Sequence, residues 1–202
     1  MNVRFSTREL LDFGAAWVAL SVAFTLFLAG PGIFTSPALS RVLTLSALTV
    51  GVGFLLHELA HKLVAMRFGK LAEFRADYGM LFVAIMAGLA GFLFAAPGAV
   101  YHRGRSTKRE NGLIALAGPL MNLGLAVVFA PLAFFAGGGV LGAIGNLGLT
   151  INLLLAGFNM LPFGPLDGNT VKDWSWAVFL AVFVPTVALA VYALLGFRLV
   201  GV

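Results

Sequence analysis

The chain is predicted to be an all-α membrane protein, a polytopic helical bundle of five to six transmembrane helices with a re-entrant or β-like segment at about residues 79–100. Charged residues make up 10% of its 202 residues and hydrophobic residues 60%, whereas ordinary soluble domains have about 25% charged residues. Apolar stretches of about 20 residues, long enough to span a bilayer, recur along the chain. We therefore expect one integral membrane domain over residues 1–202, in a multi-pass protein of the cell membrane.

Five of the apolar stretches are predicted to cross the membrane. The first of them lacks a small-residue cleavage site, so we expect a retained anchor and not a signal peptide. The five are Phe13–Ala29, Val42–Met66, Leu113–Ala136, Val140–Leu161 and Trp174–Gly196.

A sixth apolar stretch, Gly79–Val100, either crosses the membrane or enters it and returns on the same side. Its four glycines and one proline weaken a helix and favour turns or extended chain. If the stretch returns, eleven of the thirteen basic residues share one face, whereas a full crossing divides them about seven to six. The positive-inside rule favours the first arrangement and makes the shared face cytoplasmic. The eleven are Arg4, Arg8, Lys62, Arg67, Lys70, Arg75, Arg103, Arg105, Lys108, Arg109 and Lys172.

The composition also limits the partners and cofactors. The absence of cysteine excludes disulfides and cysteine-ligated zinc sites. The isoelectric point near 10.1 would suit nucleic acid, but the basic residues form no long run and no basic-aromatic RNA-binding pattern. We therefore expect the lipid bilayer, and no nucleic acid, as a partner, while the sequence does not specify an oligomeric state.

The motif that indicates a chemical function is His57-Glu58-Leu59-Ala60-His61, inside the second predicted span. Residues four apart share a helix face, so both imidazoles can bind one metal ion while Glu58 reaches a water bound to it, as in zinc proteases. Ionisable groups at membrane depth cost about 2.5–3.5 kcal/mol each on insertion scales, so three within five residues indicate a function. A span that ends near Arg67 puts His57 roughly 15 Å inside the cytoplasmic face at about 1.5 Å per residue.

A third metal ligand is predicted at Asp167. A catalytic zinc usually has three protein ligands and one open position. Most other acidic residues lie among basic residues in predicted loops, but Asp167 follows the fourth span, where Pro162 and Pro165 break the helix and free the chain to turn a carboxylate inward. In the favoured topology this segment reaches the same side of the membrane as the two histidines.

Three motifs together resemble the site-2 protease family of intramembrane zinc metalloproteases. They are His57–His61, the segment Asn159–Gly168 with its Asn, Pro and Asp-Gly residues, and Ala117–Asn122, which is similar to a glycine, proline and asparagine motif in the family's intervening core helix. The resemblance covers a catalytic core of about 42–168. The chain resembles a short form of the family, in which we expect neither an inserted PDZ-like module nor a C-terminal CBS pair.

The resemblance implies an enzyme that binds one zinc ion per chain through His57, His61 and Asp167. Glu58 would be the general base that activates the zinc-bound water, and the enzyme would hydrolyse a peptide bond within or near the transmembrane segment of membrane-protein substrates, in regulated intramembrane proteolysis. Two asparagines would bind substrate or support the site: Asn159 and Asn122. Another, Asn152, is interpreted as an interhelical hydrogen-bonding residue.

Two further hypotheses concern function and substrate. A divalent-metal transporter of the membrane would also carry histidine and acidic residues in its helices, although its ligands should follow a path across the bilayer.

For a protease, an intact substrate helix hides its carbonyl groups and must unwind locally. We expect the 79–100 segment to offer a strand edge to the unwound peptide, across Leu81–Ile85.

Overall fold

The structure is a computed structural model that describes residues 4–92 and 97–196. In these ranges the chain forms eight α-helices and one two-stranded antiparallel sheet. The elements in chain order are α1 (Thr7–Ala29), α2 (Leu39–Ser46), α3 (Val52–Arg67), β1 (Leu71–Ala76), α4 (Tyr78–Leu89), β2 (Gly98–Arg103), α5 (Lys108–Phe135), α6 (Gly139–Asn159), α7 (Asp167–Trp174) and α8 (Trp176–Gly196). A π-helical turn, Ala47–Gly51, joins α2 to α3 in one continuous helix.

Five helical stretches within the described residues are long and apolar enough to cross a membrane: α1, the continuous Leu39–Arg67, α5, α6 and α8. They confirm the five predicted spans. Two helices begin several residues earlier than predicted because polar residues cap them. The Ser6 hydroxyl accepts from the Glu9 backbone N–H in α1, and Thr107 and Glu110 form a reciprocal capping box in α5.

The two ends of the sixth apolar stretch lie close together, which is compatible with the predicted return to one side. Its helix α4 has 12 residues, or about 18 Å, which is too short to cross a hydrocarbon core of about 30 Å. The Asp77 N–H donates to the Pro97 carbonyl at 3.0 Å, so both ends of the excursion lie at the same end of the sheet. Strand β1 pairs with β2 in the register Leu71 to Arg103 and Ala76 to Gly98. Residues 93–96 of the predicted segment lie outside the described residues.

The prediction of a strand edge at Leu81–Ile85 is wrong, because these residues form the middle of α4. The Asp77 carboxylate caps this helix by accepting from the Met80 N–H at 3.0 Å. The glycine that weakened the helical prediction, Gly88, serves packing, since a Cβ there would lie 2.2 Å from the Ala23 carbonyl oxygen of α1. The extended chain lies instead in β2 and in its unpredicted partner β1.

A buried ion pair links the first span, the third helix and the sheet. Lys62 Nζ donates to Glu9 Oε1 at 2.6 Å and to the Arg4 carbonyl at 2.9 Å, and both charged side chains are fully buried. The Phe74 N–H of β1 donates to the same Glu9 oxygen at 2.9 Å. Glu9 lies in the first turn of α1, although most acidic residues were expected in loops. It stabilises the outer edge of β1 and one side of α3.

Candidate metal centre

Three ligand atoms from two separate helices meet at one point. Helix α3 presents His57 and His61 on one face, with their Nε2 atoms 3.0 Å apart. Asp167, the first residue of α7, brings its Oδ2 to 3.2 Å and 3.3 Å from these two nitrogens. Ligands about 2.0–2.1 Å from a tetrahedral zinc ion lie roughly 3.3 Å apart, so the triangle has the dimensions of three zinc ligands.

The hydrogen bonds behind the histidines direct both Nε2 lone pairs to this point. His57 Nδ1 lies 2.6 Å from Asn122 Oδ1, and His61 Nδ1 lies 2.7 Å from the Ile114 carbonyl oxygen. Since both partners are acceptors, each Nδ1 carries the proton and each Nε2 of a neutral ring is free to bind a metal.

The third candidate ligand atom is Asp167 Oδ2. It is buried and has no hydrogen-bond partner in the part of the chain that the structure describes. A buried carboxylate oxygen beside two imidazole lone pairs is repelled by them unless a cation lies between. The residues therefore fit a bound zinc ion.

The break between α6 and α7 brings Asp167 to this point. Helix α6 ends at Asn159, and the segment with Pro162 and Pro165 is non-helical up to the start of α7, as the prolines predicted. Gly168 lets α7 pack on the end of α6, because a Cβ there would lie 2.0 Å from the Met160 carbonyl oxygen. The turn is thereby fixed against the helix that precedes it.

Glu58 and the metal ligands line one cavity of about 410 Å³. Glu58 is buried, with 7% of its surface exposed, and the backbone of Val100 on β2 faces its carboxyl group. The cavity is amphipathic. Its walls include apolar side chains from the first two spans, among them Leu20, Phe24 and Val50, and polar side chains such as His102, Asn111 and Thr170.

Comparison with known proteins finds a relative that matches nearly the whole chain. A protein of Methanocaldococcus jannaschii named "Putative zinc metalloprotease MJ0611" is 43% identical over 193 residues, which are 94% of this chain and 96% of that protein. This chain belongs to the site-2 protease family of zinc metalloproteases. Family membership makes it a zinc enzyme and does not favour the metal transporter that the sequence left open.

Two more distant relatives carry the same zinc metalloprotease designation. YwhC of Bacillus subtilis is 33% identical over 149 residues, 62% of this chain and 66% of that protein. Rip3 of Mycobacterium tuberculosis is 33% identical over 127 residues, 60% of this chain but 28% of its own length. No protein-family model matches the chain, and no solved structure matches it.

The sheet of this site-2 protease family member has one covered edge and one open edge. The Asp77–Pro97 hydrogen bond makes that pair a directly bonded one, and bonded pairs alternate along an antiparallel ladder. The N–H and C=O groups of Gly98, Val100 and His102 therefore point away from β1. On the β1 side the corresponding Phe74 N–H is bound by Glu9, whereas the outer edge of β2 lines the cavity.

His102 is a cavity residue that the sequence analysis did not predict. It lies in β2, and burial, with the positive charge of Lys70 nearby, lowers the pKa of its imidazole. Its Nδ1 atom is buried without a hydrogen-bond partner among the described residues. The residue belongs to β2 and pairs with Ala72 of β1.

The predicted supporting asparagines have different environments. Asn122 contacts the predicted metal ligand His57 directly. Asn159 lines the cavity, and its Nδ2 donates to the Leu155 carbonyl of its own helix at 2.9 Å. Asn152 does make an interhelical hydrogen bond, and the partner is Asn122.

Proposed function

We propose that this multi-pass membrane protein hydrolyses a peptide bond within or near the transmembrane segment of membrane-protein substrates. His57, His61 and Asp167 would hold the zinc, Glu58 would be the general base, and the catalytic core would be residues 42–168. The observation that carries the proposal is the meeting of these four side chains in one cavity, with both histidines inside a helix long and apolar enough to span a bilayer.

The side chains divide the chemistry between them. A zinc ion held by His57, His61 and Asp167 would supply Lewis acidity for the scissile carbonyl group and for the attacking water. Glu58 accepts the proton of the attacking water and later delivers it to the leaving amine. The hydrogen bonds to Asn122 and the Ile114 carbonyl hold the two imidazoles in the tautomer that leaves Nε2 free.

The substrate is proposed to bind as an unwound strand along the open edge of β2. Among the described residues, the backbone groups of Gly98, Val100 and His102 point away from β1, and all three residues line the cavity, as β-strand addition would require. Apolar side chains near the metal centre suit residues from a membrane segment.

We further propose that the site lies toward the cytoplasmic side of the membrane. The return of the 79–100 segment to its starting side keeps eleven of the thirteen basic residues on the face where α3 ends. His57 lies ten residues before the end of α3, or about 15 Å along its axis. Single cysteines introduced at Arg67 and Thr35 and labelled in sealed cells would test this. A reagent that acts from the cytoplasm should label the cysteine at Arg67 and not the one at Thr35.

The decisive experiment incubates the purified protein with a panel of single-span substrates. We expect Glu58→Gln to lower the cleavage rate by about 10²–10⁴-fold, the usual contribution of general base catalysis, while one zinc ion per chain is retained. Removal of zinc by a chelator should also stop cleavage, and added zinc should restore it. Cleavage by Glu58→Gln at the wild-type rate would contradict the mechanism.

A further inference from the structure

The amide of Asn122 lies at the junction of three helices. Its Oδ1 faces His57 Nδ1 of α3 at 2.6 Å. Its Nδ2 donates to the Gly53 carbonyl of α3 at 3.2 Å and to Asn152 Oδ1 of α6 at 2.9 Å. Both asparagine side chains are fully buried, so each polar atom depends on a protein partner.

An asparagine amide has two orientations that occupy nearly the same space, and only one of them suits a metal ligand. If the Asn122 amide rotated by half a turn, its NH₂ group would face His57 Nδ1. That nitrogen would then have to act as an acceptor, and its proton would move to Nε2. A protonated Nε2 has no lone pair for a metal. The orientation of this amide therefore decides whether His57 can bind zinc.

The partner that selects the orientation is Asn152. Its own Nδ2 donates to the Gly148 carbonyl at 2.8 Å, which directs its Oδ1 toward Asn122. A rotated Asn122 would bring its oxygen against Asn152 Oδ1 and against the Gly53 carbonyl, so two buried acceptor pairs would replace two hydrogen bonds. Gly53 makes room for the contact, since a Cβ there would lie 2.8 Å from Asn152 Oδ1.

We propose that Asn152 is a positioning residue for the metal site, which acts on His57 through the amide of Asn122. Two other asparagines of α6, Asn146 and Asn159, also donate to the carbonyl four residues earlier, at 2.9 Å each. Among the described residues, only the Asn152 side chain of these three also accepts a hydrogen bond from another helix. This inference concerns zinc binding and does not depend on which substrate the enzyme cleaves.

The first test measures zinc affinity by competition with a chromophoric chelator, without substrate. We expect Asn122→Leu to weaken zinc binding about 10–100-fold, the range for lost outer-shell partners, and Asn152→Leu about tenfold. The double variant should bind zinc no more weakly than Asn122→Leu alone, because the second residue acts through the first. Asn146→Leu is the matched control and should bind zinc like the wild type. Independent, multiplying effects of the two substitutions would overturn the proposal.

The second test reads the tautomer directly. The chain has three histidines, so ¹⁵N resonances of the imidazoles in the zinc-free protein can be assigned by substitution. We expect the Nδ1–H form of His57 in the wild type and in Asn146→Ala, and a measurable fraction of the Nε2–H form in Asn152→Ala. This smaller substitution also serves if Asn152→Leu does not fold. An unchanged His57 tautomer in a folded Asn152→Ala would overturn the proposal even if zinc affinity falls.

Discussion

At the scale of single residues, the closest packing in the metal centre surrounds a glycine. A Cβ on Gly118 would lie 2.4 Å from His61 Nε2 and 2.5 Å from His57 Nε2. Real Cβ atoms do not approach other atoms so closely, and both imidazoles are held from behind by hydrogen bonds, so neither ring can move away freely. The backbone of α5 therefore forms the wall against which both ligands are set.

We predict that Gly118→Ala loses zinc while the protein remains folded. The added methyl group must displace at least one imidazole, and zinc affinity should fall by at least about 100-fold, the upper range for disturbed ligand support. Gly124→Ala on the same helix is the control, because a Cβ there meets nothing within 4 Å. Zinc content after dialysis, measured by mass spectrometry, checks the pair. Full zinc content in Gly118→Ala would contradict the packing described here.

Several site residues could be predicted from the sequence because their spacing has a chemical meaning. The four-residue interval between His57 and His61 and the proline-flanked Asp167 are such cases, and the structure brings all three together. The environments of Gly118 and His102, and the partner of the Asn152 hydrogen bond, could not be predicted in the same way. They depend on which turn of one helix or strand faces another, and such interhelical registers leave no short-range pattern in the sequence.

At the scale of elements, the most informative one is β2. It pairs with β1 on one side and lines the cavity on the other. Its backbone groups alternate in direction, so a substitution can remove a donor from the open edge and leave the ladder to β1 intact. The proposed role in substrate binding is therefore separable from the role in folding.

We predict that His102→Pro lowers kcat/KM for a single-span substrate about tenfold, the effect of one lost hydrogen bond of about 1–1.5 kcal/mol. The His102 N–H belongs to the open edge, so proline there removes a donor to the substrate and none to β1. His102→Ala retains the N–H and should cleave faster than His102→Pro. Equal rates for the two folded variants would contradict binding along this edge.

Helix α4 is an element whose sequence was misleading. Its apolar residues and glycines were compatible with turns or strand, and the helix forms because Asp77 caps it and α1 packs against Gly88. Spans of about 20 residues are predictable from composition alone, whereas short elements such as α4 and β1 depend on tertiary contacts that composition does not reveal.

We predict that Gly88→Ala destabilises the protein by about 1–3 kcal/mol, the usual cost of overpacking. The new methyl group would lie 2.2 Å from the Ala23 carbonyl oxygen, and backbone atoms cannot rotate out of its way. Gly14→Ala in α1 meets nothing within 4 Å and is the control. Thermal unfolding in detergent should show a lower Tm for Gly88→Ala only. An unchanged Tm would indicate that α1 and α4 are not in close contact.

At the scale of the whole molecule, the Glu9–Lys62 pair joins parts of the chain that are distant in sequence. Lys62 directly follows His61, one of the proposed metal ligands, and Glu9 also binds the Phe74 N–H of the sheet. The first span is thereby coupled to the helix of the metal site and to the strand that supports β2. The sequence analysis counted Lys62 among the topology signals and did not pair it with Glu9, because a pairing across 53 residues is not visible in a linear pattern.

We predict that Glu9→Gln destabilises the protein by about 3–5 kcal/mol, because it leaves the Lys62 ammonium buried without its counter-ion. The double variant Glu9→Gln with Lys62→Met removes both charges and should recover much of that loss. Chemical denaturation in detergent measures both values. A double variant that is less stable than Glu9→Gln alone would show that the two residues contribute independently.

The position of β2 also bears on how the molecule avoids self-association. An unpaired strand edge on a protein surface is a template for pairing with another copy, and proteins usually blunt such edges with charges, bulges or prolines. Here Glu9 of α1 binds the Phe74 N–H on the outer edge of β1, and β2 lines the cavity. On both strands, groups of the outer edge therefore face other parts of the same chain, which reduces the tendency to pair with another copy.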